Sequence, residues 1–161
     1  MKRLLPYLVF LTFALLCGKA LAQDSSRQLS ILMVVKGTCP TLVLAGEQLP
    51  CEGTLIHTEY DDGRIGFYFA AAVPEGKIIT FSGRGQDQRA PSENVRIQPV
   101  DAVILSNGIV HVSGECLFEN PFDGQARIQC AAKSAASDEY QGQFLTDGHE
   151  PSIVNLGADN G

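Results

Sequence analysis

The stretch GTLIHTEYDDGRIGFYFAAA, which covers residues 53–72, holds two runs of β-branched and aromatic residues separated by Asp62-Gly63. Asp-Gly is a favoured pair for a two-residue turn between antiparallel strands. The stretch therefore predicts a β-hairpin that turns at this pair and sets Tyr60 opposite Ile65.

The predicted register gives the hairpin two different faces, because successive side chains of a strand point to opposite sides. One face is predicted to contact the core, and it holds Ile56, Thr58, Tyr60, Ile65, Phe67 and Phe69. The other face is mixed, and it holds Leu55, His57, Glu59, Gly66, Tyr68 and Ala70.

Residues 1–22 have the layout of a secretory signal peptide, with a basic start, an apolar run and the small-residue triplet Ala20-Leu21-Ala22. Cleavage is expected after Ala22. The apolar run is shorter than the ~20 residues of a membrane-spanning helix. A lipid-bearing Cys17 is the alternative, although Leu16 stands where a small residue would be expected.

Cleavage would leave about 139 of the 161 residues, which is enough for one domain. The loss of Lys2, Arg3 and Lys19 leaves nine basic residues against 18 acidic ones, a formal net charge of −9. So acidic a chain repels polyphosphate, and nucleic acid is not an expected partner.

The four remaining cysteines are Cys39, Cys51, Cys116 and Cys130. An even number in an exported chain predicts two disulfides and an oxidising compartment. We therefore expect a periplasmic or secreted protein, with a bacterial exported protein favoured.

The spacing of the cysteines predicts two short hairpins, each closed by its own disulfide. A three-residue loop at 44–46 would set Cys39 opposite Cys51, and one at 122–124 would set Cys116 opposite Cys130. Four cysteines allow three connectivities, so pairing across the two units stays open.

A further hairpin is predicted at residues 101–115, DAVILSNGIVHVSGE, with its turn at Asn107-Gly108. That register sets Leu105 opposite Val110. Both faces are apolar enough to predict central strands that are covered on both sides.

About nine or ten short strands with turn residues between them, and no sustained helical period, predict an all-β fold. We expect a single small antiparallel sandwich or barrel, stapled by two disulfides, over residues 23–146. Residues 147–161 are rich in Gly, Pro, Asn and Asp, and this composition predicts a disordered tail.

The mixed face of the central hairpin supplies the candidate ligand-binding set His57, Glu59 and Tyr68. His57 and Glu59 could provide two metal ligands, with a third from His111 or His149. Because no metal-binding spacing motif is present, we predict neither a metal site nor a cofactor.

Arg84 and Arg89 are candidate contact residues in the polar segment 83–93, GRGQDQRAPSE. The segment has no hydrophobic periodicity and reads as an exposed loop. Exposed loops often carry binding residues, and these two are positive in an acidic chain.

No arrangement in the sequence predicts catalysis. His111 and Ser113 stand two residues apart on one strand, without the Gly-x-Ser-x-Gly turn that displays a nucleophilic serine. The cysteines have no C-x-x-C spacing. We therefore expect a protein that is not an enzyme.

The sequence thus predicts an exported, non-catalytic β-domain that binds a macromolecular partner, such as another envelope or secreted protein. The alternative is a small-molecule or metal-binding module, and a secreted hydrolase is the third choice. No membrane span is expected in the mature chain.

Overall fold

The computed structural model of the protein describes residues 27–73 and 76–157, so the predicted signal peptide lies outside the described residues. Among those described, no helix is long and apolar enough to cross a membrane. Short 3-10 turns lie at Gly85–Asp87 and Pro121–Asp123. The strands are β1 (Leu29–Leu44), β2 (Glu47–Gln48), β3 (Cys51–Tyr60), β4 (Arg64–Ala71), β5 (Ile78–Arg84), β6 (Val95–Leu105), β7 (Gly108–Glu119), β8 (Arg127–Ser134), β9 (Glu139–Thr146) and β10 (Ser152–Asn155).

Eight of these strands close into an antiparallel barrel. From β3 to β9, each strand pairs with the next one along the chain, and β1 pairs with both β3 and β9. The strands β2 and β10 lie outside this circuit and pair with β1. The predicted all-β antiparallel fold is confirmed, and of the two architectures left open the barrel is the one that forms.

Both predicted disulfides are confirmed. Cys39 and Cys51 are bonded with their Cα atoms 5.5 Å apart, and Cys116 and Cys130 with theirs 3.9 Å apart. Cys116 and Cys130 are direct cross-strand partners on β7 and β8, as the predicted register of this unit requires. Both of their side chains are buried inside the barrel.

The turn of the central hairpin holds three residues instead of the predicted two. β3 ends at Tyr60 and β4 begins at Arg64. The N–H of Gly63 donates to the carbonyl oxygen of Tyr60 at 2.9 Å, and Gly63 has a φ of 76°. A left-handed residue at the end of a three-residue loop favours glycine, so Gly63 suits this turn as well as the shorter one.

The predicted register of this hairpin is therefore wrong by one residue. His57 lies opposite Phe67, and Leu55 lies opposite Phe69. Because side chains alternate, a one-residue shift reverses the faces of β3 relative to those of β4. His57 consequently points into the barrel with the phenylalanines, whereas Tyr68 lies on the outer side.

The first cysteine unit also turns differently. Its turn is the pair Ala45-Gly46, which have φ values of 50° and 83°. Leu44 is opposite Glu47, where the prediction set Val43. The disulfide still forms because Cys39 and Cys51 follow the pairing of β1 with β3, in which Lys36 is opposite Thr54.

The hairpin of β6 and β7 turns one residue earlier than predicted, so that Leu105 is opposite Gly108 and not Val110. The pairing moves by two residues, so the same side chains of β6 and β7 still share a face of the sheet. The prediction that both faces are covered is wrong. The outer side of β7 is exposed to solvent, and Ile109 is 63% exposed.

The segment after Thr146 contains a strand where its composition predicts disorder. β10 pairs antiparallel with β1, with Val34 opposite Ser152. β9 and β10 thus occupy successive lengths of the same edge of β1. Residues 158–161 lie outside the described part of the chain.

One end of the barrel interior is filled by large side chains. Phe69 reaches from β4 across to β9, where a Cβ atom on Gly142 would lie 2.7 Å from the phenylalanine ring. Phe69 and Phe81 meet edge to face, with ring centroids 5.7 Å apart. Contact across the barrel therefore requires glycine at position 142. The other end of the barrel is open.

Candidate ligand-binding cavity

The open end of the barrel contains a cavity of about 380 Å³. This volume falls within the ~300–1,000 Å³ of typical small-molecule sites, which are mostly apolar. Its polar residues are His57 in the wall and Glu59, Glu93, Asn94, Arg96, Glu119 and Asn120 nearer the mouth. Its apolar residues are Ile31, Met33, Val35, Leu55, Phe67, Phe118, Pro121, Phe122, Ile128 and Ile153.

His57 is a buried wall residue of the cavity, with 6% of its surface exposed. Its ring lies 4.8 Å from that of Phe67 and 6.2 Å from that of Phe118, measured between centroids. The two phenylalanine rings are 5.1 Å apart. The three rings form one aromatic cluster, which exists because the three-residue turn points His57 inward.

The two ring nitrogens of His57 have different surroundings. Nε2 lies 3.4 Å from Oε1 of Glu59. That hydrogen bond holds the pKa of the Glu59 carboxyl below its usual value of 4.5, although the partial burial of the group acts in the opposite direction. Glu59 is therefore ionised at neutral pH. A carboxylate can only accept a hydrogen bond, so Nε2–H of His57 would be the donor.

Nδ1 of His57 has no hydrogen-bond partner in the described part of the chain, and it is buried. A neutral histidine carries one ring proton. With that proton on Nε2, toward Glu59, Nδ1 is an acceptor that is buried in the wall and not open to the cavity. A buried acceptor without a donor costs about 1–3 kcal/mol. Stability is thus lost at a residue that lines the cavity.

Tyr68, the third member of the predicted set, does not line the cavity. Its hydroxyl is 2.7 Å from that of Tyr60 and 3.4 Å from that of Thr58, both on the outer side of the hairpin. Partial burial raises the pKa of the Tyr68 hydroxyl. The structure therefore brings His57 and Glu59 together and separates Tyr68 from them.

Neither Arg84 nor Arg89 lines the cavity. Arg84 is exposed at the end of β5. Arg89 is also exposed, and its Nη2 donates to Oε2 of Glu115 at 2.8 Å. The predicted loop is partly ordered, with a 3-10 turn at Gly85–Asp87 and backbone hydrogen bonds between Arg89 and Ile97.

Arg96 is a cavity residue that sequence reasoning missed. It lies opposite Phe118 on neighbouring strands. Its Nη1 donates to the carbonyl oxygens of Ser92 and Glu93, both at 3.0 Å, and to that of Val95 at 3.2 Å. Side chains alternate along a strand, so Arg96 lies on the same face of β6 as the buried Gln98. Only the pairing of β6 with β7 shows that this face of the strand lines the cavity.

The mouth of the cavity has two exposed apolar residues. Phe122 follows β7 and is 48% exposed, and Ile153 on β10 is 43% exposed. At this end β10 continues the edge of β1 and pairs with no other strand in the described residues. The cavity therefore opens beside β10. An apolar molecule that enters the barrel would first contact the exposed side chains there.

The remaining candidate catalytic and metal-binding residues are not brought into the cavity. His111 and Ser113 are exposed on the outer side of β7. His149 is exposed, and its Nδ1 lies 3.2 Å from Oδ1 of Asp147. Within residues 27–73 and 76–157, no group of three or more His, Cys, Asp or Glu side chains is placed to hold a metal ion.

The fold and the cavity define the chain as an eight-stranded antiparallel barrel with an apolar internal site at one end. The chain matches no protein-family model, no curated protein and no solved structure.

Proposed function

We propose that the protein binds a small, largely apolar molecule inside the barrel. The observation that supports this most directly is the cavity of about 380 Å³, with a mainly apolar wall. An eight-stranded barrel is just wide enough to fill its interior with side chains or to hold one small ligand. Here Phe69 and Phe81 fill one end, and the other end is left for a ligand.

The cavity wall offers a ligand both apolar contact and hydrogen-bonding groups. An apolar molecule gains about 25 cal/mol for each Å² of apolar surface that leaves water. Met33 and Phe118, which are partly exposed in the cavity wall, offer such surface. The hydrogen-bonding groups of His57 and Glu59 lie at one part of the wall, so they can orient a ligand that has one polar end.

Filling the cavity at Ile31 should reduce binding. Ile31 on β1 lines the cavity and lies opposite Glu59 of β3. The larger side chain of Ile31→Trp would therefore occupy space that the ligand needs. We expect the neutral fluorophore N-phenylnaphthylamine to brighten on binding the unaltered protein. Ile31→Trp should weaken this binding by about tenfold, which corresponds to ~1.4 kcal/mol.

The matched control is Ile109→Trp, which makes the same substitution at a side chain that is 63% exposed on the outer side of β7. Its affinity for the fluorophore should equal that of the unaltered protein. No increase in fluorescence with the unaltered protein would rule out the proposed function. Equal binding by both variants would remove the cavity as its location.

We further propose that the protein works outside the cytoplasm, in the periplasm or as a secreted protein. The two disulfides support this, because disulfides persist in oxidising compartments. The signal peptide predicted for residues 1–22 supports the same conclusion. Its removal would leave the acidic mature chain, with a net charge of −9.

A second candidate function is the binding of a macromolecular partner at β10. This short strand carries Val154, and Leu156 follows directly after it, and both side chains are 48% exposed. Its outer edge pairs with no strand in the described residues. Unpaired edges with apolar side chains are sites where another protein chain can add a strand.

Lysine at Val154 should abolish such an interaction, because a charged residue on an edge strand opposes pairing with another chain. We expect the tagged mature protein to retain a stoichiometric partner from its own envelope fraction, and Val154→Lys to lose it. The control is Ile78→Lys, at a side chain that is 50% exposed elsewhere on the barrel. Retention of the partner by Val154→Lys would exclude β10 as its site.

A further inference from the structure

The polar groups of the cavity carry an unequal balance of charge. Three carboxylates, those of Glu59, Glu93 and Glu119, line it together with one guanidinium, that of Arg96. The mouth therefore has an excess of negative charge. A cavity lined by one sign of charge raises the local concentration of ligands of the opposite sign.

The positive group, Arg96, is committed to the protein backbone through one of its three nitrogens. Nη1 of Arg96 donates to three carbonyl oxygens of residues 92–95, at 3.0 to 3.2 Å. These bonds hold the guanidinium against its own loop. A ligand carboxylate would therefore compete with those carbonyls for part of Arg96, and it would be repelled by the three glutamates.

The buried histidine pairs with one of these carboxylates. His57 lines the cavity and is 94% buried, since only 6% of its surface is exposed. Its Nε2 lies 3.4 Å from Oε1 of ionised Glu59, and Nδ1 is buried in the wall without a partner in the described residues. A ligand carboxylate would be repelled by the Glu59 carboxylate, whereas a protonated amine would donate a hydrogen bond to it.

The aromatic cluster points to the same type of ligand. The rings of Phe67 and Phe118, 5.1 Å apart, lie beside His57 in the cavity wall. The face of an aromatic ring attracts a cation within about 6 Å of its centroid. An ammonium group near Glu59 and His57 would thus be favoured by the carboxylate charge and by the nearby ring of Phe118.

We propose that the ligand is a small amphiphile whose polar end is a protonated amine, placed at His57 and Glu59, with its apolar body against Met33 and Phe118. The inference rests on the proposed function, because it names the class of ligand for the same cavity. At about 30 Å³ for each water in the liquid, 380 Å³ equals the volume of roughly a dozen waters. The ligand body is therefore about the size of a ten-carbon chain.

Three molecules with the same chain length test the polar end directly. Decylamine, decanol and decanoate would each displace N-phenylnaphthylamine from the unaltered full chain, below the concentrations at which they self-associate. We expect decylamine to act at a concentration about tenfold lower than decanoate does, with decanol between them. The preference for the amine should shrink as salt is added, since exposed charges are screened.

Glu59→Gln is the variant that isolates the charge, because glutamine keeps the shape and an acceptor oxygen but carries no charge. It should lower the preference for decylamine over decanoate several-fold and change displacement by decanol much less. The side chain of Glu59 is 45% exposed, so its replacement leaves the filled end of the barrel intact. Glu115→Gln is the control, because Glu115 is exposed, pairs with Arg89 and does not line the cavity.

Two different failures can be told apart. If the fluorophore binds and decanoate displaces it as well as decylamine does, or better, the amine inference is overturned while cavity binding stands. Preferential displacement by decanoate would instead assign the polar end to Arg96. If the fluorophore does not bind at all, the proposed function fails, and the inference about its ligand falls with it. An unchanged amine preference in Glu59→Gln would likewise overturn the role of Glu59.

Discussion

Phe69→Ala is expected to destabilise the protein by about 3–5 kcal/mol, the usual cost of removing a buried aromatic ring. Phe69 is 1% exposed and packs against Phe81 at the filled end of the barrel. Because it reaches from β4 to β9, its loss leaves a cavity between opposite walls. Urea unfolding should show a lower midpoint with an unchanged slope.

Phe122→Ala is the matched control, because it removes the same ring from a position that is 48% exposed. Its effect should remain within about 0.5 kcal/mol, as for most surface substitutions. If the two variants lost similar stability, Phe69 would not be the residue that joins the two walls.

The contact between Phe69 and Gly142 adds a test of the same packing. A Cβ atom at Gly142 would lie 2.7 to 2.8 Å from three atoms of the Phe69 ring. Gly142→Ala alone should therefore cost about 1–3 kcal/mol through overpacking. In a Phe69→Leu background the same change should cost less, and a double-mutant cycle would measure this coupling.

Replacing Cys116 and Cys130 together by alanine is expected to cost at least about 3 kcal/mol. The bond closes a loop with a sequence separation of 14, and a loop of this size is worth about 3 kcal/mol in the chain-entropy model. Both side chains are buried, at 0% and 2% exposed, so removal of the sulfur atoms also leaves unfilled space. Chemical unfolding of the oxidised variants would measure the difference.

The disulfide between Cys39 and Cys51 provides the comparison. Its separation of 12 gives nearly the same entropic effect, but both cysteines are only partly buried. The corresponding double alanine variant should therefore lose less stability. An equal or larger loss would mean that burial adds nothing to the effect of the inner disulfide.

The candidate site was only partly predictable, and the reason lies in one turn. The pattern of residues 53–72 predicts the hairpin correctly, and it predicts that Phe67 and Phe69 face the core. The prediction that His57 faces away from them was wrong. Gly63 can end either a two-residue or a three-residue turn, and that one-residue difference reverses the face on which His57 lies.

Arg96 and Glu119 illustrate a second limit. Glu119 belongs to a hairpin that the sequence predicts and Arg96 to β6, yet they line the same cavity as His57 only through the closure of the barrel. The ladder between β1 and β9 that closes it joins residues about a hundred positions apart in the chain, such as Gly37 and Thr146. No local pattern encodes such a pairing.

The sequence by itself predicted the all-β class, the favoured pairing of the cysteines within each unit and the register of the unit around Cys116 and Cys130. These features depend on short-range patterns: alternation, turn residues, and a covalent bond that accepts only one alignment. The tertiary structure alone decided that the sheet closes, that β10 joins its edge, and that His57 faces a cavity. The physical reason is that turns of different length have similar local energies, so packing in the closed barrel, such as that of Leu55 against Phe69, selects among them.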